Sequence, residues 1–243
     1  MSAHALLSPS AAHRWLNCSR APRLEATIPK KPSVYADEGT LAHSVCEIAA
    51  KVRFYQAEAT EHQTVIKQLK QNPLWRDEML RTAELYVTYL TKRAAHYSHI
   101  WQPAFEVSVD ISDYAPEAFG RCDCLIRCGN GTLIVADYKH GRGVPVSAKE
   151  NPQMMLYALG ALKLYESENI QEIELNIIQP RINYFGKWKC SAKELKVWGE
   201  SIKPKARMAY EGKGEFNAGK WCRFCRAEGI CEATKGGAGV GGF

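Results

Sequence analysis

Between Phe105 and Lys139 the hydrophobic period of this chain shortens from that of a helix to that of a strand, and this change restricts the fold more than any other feature. Phe105, Val107, Val109 and Ile111 alternate with Glu106, Ser108 and Asp110. A period of two puts one set on each face of a sheet. A second strand is predicted over Phe119–Cys128, an Asn130-Gly131 hairpin turn follows, and a third strand covers Thr132–Lys139.

The flanking segments read as helices. Ser8-Pro9-Ser10 opens a short one, with Ser8 as N-cap and Pro9 at the first helical position; it runs to Cys18, and Pro22 stops it. A second spans about Asp37 to Gln56 with the stripe Leu41, Val45, Ile48 and Val52. A polar connection ends at Pro73, and a third helix runs from about Leu74 to Tyr97. After the strands come a Gly141/Gly143 loop, a helix over about Ala148–Tyr165, a strand over Glu172–Gln179, and a last helix, Ala192–Tyr210, expected to bend near Pro204. The order predicts a mixed α/β sheet flanked by helices.

Composition narrows the class. Hydrophobic residues at 46% and charged residues at 24% suit a soluble globular chain. No apolar run approaches the roughly 20 residues that span a bilayer, and Met1–Ser10 lacks a secretory pattern, so the cytoplasm is expected and no membrane partner. A net charge of +6 is compatible with a phosphate-backbone ligand. Nine cysteines in a reducing compartment read as metal ligands plus core thiols, not as disulfides.

The chemistry concentrates on the strands. Asp137 and Lys139, two apart at a strand end, share a face. There a carboxylate can hold Mg²⁺ while an amine orients water or stabilises charge on phosphorus; an ordinary surface ion pair is the competing reading. Asp123 lies in the partner strand, where the hairpin can set the two carboxylates side by side. Cys122, Cys124, Ile126 and Cys128 are expected on one face as core residues, with Asp123 on the other beside Arg121, Leu125 and Arg127. A carboxylate inside a sheet needs a partner or a metal. His43 lies off the apolar stripe of its helix, with Glu47 one turn later on the same face. Gln153 and Tyr157, also four apart, could bond a DNA phosphate or the acids.

Gly39-Thr40-Leu41-Ala42-His43, Gly120-Arg121-Cys122-Asp123, Asp137-Tyr138-Lys139-His140-Gly141 and Gln153-Met154-Met155-Leu156-Tyr157 together resemble the RecB/AddB-type branch of the PD-(D/E)XK nucleases. The resemblance implies a restriction-endonuclease-like fold, Mg²⁺ or Mn²⁺ on His43, Asp123 and Asp137, Lys139 as catalytic lysine, and Gln153 and Tyr157 in the motif that follows. Glu106 is a weaker carry-over as an extra carboxylate. The usual proline before the first acid is absent. Cys222-x2-Cys225-x5-Cys231, with Cys18 far upstream, resembles the iron-staple nucleases, which implies a 4Fe–4S cluster in a small subdomain formed by both chain ends. Four thiolates would also suit structural Zn²⁺, although zinc ribbons usually supply two tight pairs and here there is one.

The expected organisation is an N-terminal segment (1–34) giving one cluster cysteine, a nuclease core with a helical insertion (35–212), a Cys-rich segment (213–234) and a flexible Gly-rich tail (235–243). The resemblance implies a DNA exonuclease resecting ends in phage or bacterial recombination or repair, with a single-strand-binding or annealing protein as partner. A non-catalytic DNA-binding module and a zinc-stabilised structural phage protein are the alternatives.

Overall fold

The computed structural model describes residues 5–56 and 59–235; the expected flexible tail lies, from residue 236 on, outside the described residues. Five strands form one mixed sheet in chain order: β1 (Ala104–Asp110), β2 (Phe119–Cys128), β3 (Thr132–Tyr138), β4 (Glu172–Gln179) and β5 (Tyr184–Ser191). β1, β2 and β3 are an antiparallel meander, β3 and β4 are parallel, and β5 returns antiparallel. The parallel pair requires a crossover, which α6 (Pro152–Leu164) supplies. β2 and β4 match expectation, and β3 stops one residue short, at Tyr138. β5 is additional: Gly186, Lys187 and Lys189 dilute its alternation, as befits a half-exposed edge strand with one neighbour.

The helices depart from expectation mainly at their ends. The N-terminal helix is instead a 3₁₀ turn (Pro9–Ala11), α1 (Ala12–Trp15) and α2 (Ala21–Ala26), and Ser8 makes no side-chain cap bond. Pro22 stops nothing; it sits in the first turn of α2, where a missing N–H is tolerated. α3 (Val34–Tyr55) starts earlier than Asp37 because the Ser33 hydroxyl accepts the Ala36 N–H at 3.3 Å. α4 (Ala59–Leu69) occupies the stretch read as a polar connection, and α5 (Glu78–Ala94) is shorter than expected at both ends. α6 begins at Pro152, not Ala148, since Asn151 Oδ1 caps the Gln153 and Met154 N–H groups at 3.1 and 3.3 Å. α7 (Ala192–Glu211) opens on a Ser191/Glu194 capping box and carries Pro204 inside it.

Each face of the sheet has its own core. α6, α7 and the N-terminal segment cover one, with Leu7, Trp15, Leu133, Val135, Met154 and Leu175 buried together. On the other, α3 and α5 pack Leu41, Val45, Tyr86 and Leu90 against Ile126, Ile134 and Tyr138. Beneath α5 the Arg93 guanidinium grips the fully buried Glu174 of β4 through Nε, at 2.8 Å, and Nη2. No described helix is long and apolar enough to cross a membrane.

One irregularity corrects the strand faces. Phe105 packs on the α3/α5 side, whereas Val107, Val109 and Ile111 lie on the α6/α7 side. Across the pair, Cys122 lies on the α6/α7 side and Cys124, Ile126 and Cys128 on the other. The three thiols are buried, as expected of core residues, but do not share a face. Glu106 stands between with φ of 53°. That left-handed conformation interrupts the ladder between Phe105↔Cys124 and Val107↔Cys122, so strict alternation fails where Glu106 and Asp123 face each other.

Candidate active site

The interrupted ladder delivers the acids to one place. The β2–β3 pairing ends at Cys124↔Ala136. Beyond it Asp123 Oδ2 accepts the Tyr138 main-chain N–H at 2.7 Å, so the side chain takes over a donor the ladder leaves behind. From α3, His43 Nδ1 reaches the same Oδ2 at 3.3 Å, its ring edge-on to Tyr138 at 5.3 Å between centroids. His43, Glu106 and Asp123 each offer a ligand atom within 4.8 Å of the other two.

Asp137, Lys139, Gln153 and Tyr157 form a second set against the first. Lys139 Nζ lies 2.9 Å from Asp137 Oδ2 and donates to Gln153 Oε1 at 3.0 Å. Gln153 Nε2 in turn donates to Asp137 Oδ1 at 3.1 Å and to the Tyr157 hydroxyl at 3.2 Å. Gln153 and Tyr157 share the inner face of α6 because they are one turn apart. Gly120 lets Tyr157 come close: a Cβ there would lie 2.8 Å from Tyr157 Cε1 and 2.8 Å from Pro9 Cγ. His43, Asp123 and Asp137 do not converge as one tight triad; Glu106 takes the third place beside His43 and Asp123, and Asp137 stands with Lys139.

The electrostatics are those of crowded acids. Burial, with Asp123 alongside, pushes the Glu106 carboxyl up to about 7. Burial likewise raises Asp137 against the opposing pull of Lys139. Burial alone would lower His43, yet the Asp123 carboxylate outweighs it and lifts the imidazole to about 9. Asp137 Oδ2 is buried and, apart from its ion pair with Lys139, makes no hydrogen bond. Three acids that repel one another, a histidine and an unbonded carboxylate oxygen are the donor set that a divalent cation would relieve.

Residues that motif reading passed over brace this arrangement. The Tyr138 hydroxyl donates to Thr82 Oγ1 and lies 2.9 Å from His140 Nδ1; His140 Nε2 is 3.0 Å from Glu38 Oε1, which Arg181 also bonds at 3.1 Å. Arg181 reaches Glu78 of α5 at 3.1 Å as well. Glu38, one turn ahead of His43, and His140, next to Lys139, were legible only as neighbours of the motifs; Arg181 carried no local signal.

Cys18, Cys222, Cys225 and Cys231 line one pocket together with Arg14 and Trp221. The Asn217 and Gly219 N–H groups point at the Cys18 and Cys222 sulfurs, at 3.5 and 3.4 Å. Burial raises the Cys225 thiol to about 11. Glu25 ties the two chain ends, accepting from Arg14 Nε at 2.7 Å and from the Arg226 N–H at 2.9 Å. Among the described residues, no three of these sulfurs lie within 4.8 Å of one another.

Fold and site define a mixed α/β protein whose five-stranded sheet, flanked by helices, brings acids, a histidine and a lysine to one strand end. The chain matches DUF2800, described as a protein of unknown function, over residues 4–238, and belongs to that family. It is similar to the solved structure titled "Crystal structure of SSO0001", at 15% identity over 93% of this chain and 97% of that one, with a TM-score of 0.37. A likeness at that level carries no argument about fold or function.

Proposed function

We propose that this chain is a metal-dependent deoxyribonuclease of the PD-(D/E)XK class, RecB/AddB-like, with a cysteine-held iron–sulfur staple. The observation that carries the reading is the closed cycle of Asp137, Lys139 and Gln153, residues from a strand end and a helix turn that meet through three contacts of 2.9 to 3.1 Å. A structural ion pair needs no glutamine bonded to both its partners, and no second carboxylate and imidazole beside it.

His43, Asp123 and Glu106 would hold Mg²⁺ or Mn²⁺, with Asp137 on the adjoining side. Such an ion, when bound, supplies Lewis-acid charge to a phosphoryl oxygen and makes its water more acidic. The protein's own part is positional. Asp137 and Gln153 hold the Lys139 ammonium at the edge of the site, where it can orient an attacking water and offset charge developing on phosphorus. Tyr157 fixes Gln153, and the Tyr138 N–H fixes Asp123. Resection of DNA ends in recombination or repair, beside a single-strand-binding or annealing protein, is the role this activity would serve. Cys18, Cys222, Cys225 and Cys231 lining one pocket supports a shared cluster, 4Fe–4S by the resemblance, with structural zinc the alternative.

The test is purified protein incubated with end-labelled linear and circular DNA, with Mg²⁺, Mn²⁺ or excess chelator. Metal-dependent release of labelled products from linear DNA is expected. DNA binding without cleavage in either metal overturns the enzyme reading in favour of a binding module.

A further inference from the structure

The stripe Leu41, Val45, Ile48 and Val52 is longer than the core it serves. Leu41 and Val45 are buried against the sheet. Ile48 and Val52, one and two turns on, instead line a groove of about 830 Å³ between α3, α4 and α5, on the side of α3 away from His43. Ile66 of α4 and Leu80 and Val87 of α5 complete its apolar floor, with Leu80 38% exposed. Among the described residues the rim is basic: Arg53, Lys67, Lys70 and Lys92, against one acid, Glu84. Among the described residues none of these four cations has a carboxylate partner. Surface lysines elsewhere in the fold do find one, as Lys51, Lys163 and Lys189 do.

From Leu80 to Lys92 the α5 wall runs about 18 Å at 1.5 Å per residue, the length of a helix of roughly twelve residues. Three helices around an open apolar trough lack the fourth that would close a bundle.

We propose that this groove is a docking site for an amphipathic helix with an acidic polar face, carried by another protein. The apolar floor would take residues at i, i+3, i+4 and i+7, and the four unpaired cations would face carboxylates along the edges. A second copy of this chain is disfavoured because it would bring the same basic rim against this one. A nucleic-acid backbone matches the rim but leaves the floor facing charge. The site is separate from the acids and Lys139, so its occupancy does not depend on the nuclease reading.

The experiment uses the full chain and fluorescein-labelled 14-residue amphipathic peptides that share one leucine face and differ in a glutamate, glutamine or lysine polar face. Fluorescence anisotropy should rank them glutamate, glutamine, lysine in falling affinity, with the glutamate peptide weakening as salt rises. The surface triple variant Lys67→Glu/Lys70→Glu/Lys92→Glu should lower affinity for the glutamate peptide at least tenfold and invert the ranking. Leu80→Asp should weaken all three peptides. No binding of the glutamate peptide at hundreds of micromolar, a flat ranking, or a triple variant that keeps the original order overturns the proposal. So does displacement by palmitate in preference to the acidic peptide, which would mark a site for lipid anions.

Discussion

Asp123 Oδ2 accepts the main-chain N–H of Tyr138 at 2.7 Å. The acid of β2 is therefore held by the residue that separates Asp137 from Lys139. Backbone and side chain lock the two strands where their ladder stops, and any displacement of Tyr138 moves both halves of the site together.

The first expectation concerns the cycle on β3. Asp137→Ala and Lys139→Ala should each lower metal-dependent cleavage by at least about a hundredfold, the scale of losing a group that stabilises transition-state charge. Circular dichroism should show both variants folded. Full activity in either removes them from the chemistry.

His43→Ala should raise the metal concentration for half-maximal cleavage and slow the reaction less than loss of Asp137, because an imidazole that ligates the metal is neutral and, unlike a carboxylate, offsets none of its charge. A Mn²⁺ titration of wild type and variant measures this. Unchanged half-saturation and rate would make His43 a bystander.

Gly120→Ala tests the packing behind Tyr157. The added methyl would meet Pro9 Cγ and Tyr157 Cε1 at 2.8 Å, and an overpacked core typically costs about 1–3 kcal/mol. Thermal melting should show that loss, with reduced cleavage as Tyr157 is pushed from Gln153. A wild-type melting curve refutes the close approach.

Arg93 and Glu174 give a pH dependence. Burial by itself would raise Glu174, but the Arg93 guanidinium overrides it and holds the carboxyl below its ordinary range. A carboxyl depressed in the folded state stabilises above its unfolded pKa, and that contribution is lost as pH falls through the folded value. Denaturant midpoints should therefore drop from pH 5 downward, and Arg93→Met should lose about 3–5 kcal/mol at pH 7 by stranding a buried charge. An Arg93→Met midpoint equal to wild type at pH 7 contradicts the assignment.

The staple is tested by chemistry rather than activity. Cys18→Ala, Cys222→Ala, Cys225→Ala or Cys231→Ala should each abolish the iron and brown colour of anaerobically purified protein. Each should also lower stability, since closing nearly the whole chain contributes about 4–5 kcal/mol by loop closure. Cys46→Ala and Cys190→Ala should keep iron and colour. Wild type without iron, or stoichiometric zinc in its place, discards the cluster.

Period, turn and cap chemistry act over a few residues, so they are readable without a fold. The extents of β2 and β4 and the Asn130-Gly131 turn were legible for that reason, and so was the layered mixed α/β arrangement. The spacings of Asp137 with Lys139 and of Gln153 with Tyr157 likewise put each pair on one face in advance. What the chain order alone could not decide depends on contacts between distant segments. The left-handed Glu106 separates the faces of Phe105 and Val107, which no local alternation reveals, and brings Glu106 rather than Asp137 to the side of His43 and Asp123. Arg181 joins Glu38 and His140 only because β4 lies parallel beside β3. β5 exists because β4 offers it an edge, and α4 because α3 and α5 give its few apolar residues a surface to cover. Local propensity is a weak preference of under about 1 kcal/mol per residue, and burial against a distant neighbour outweighs it.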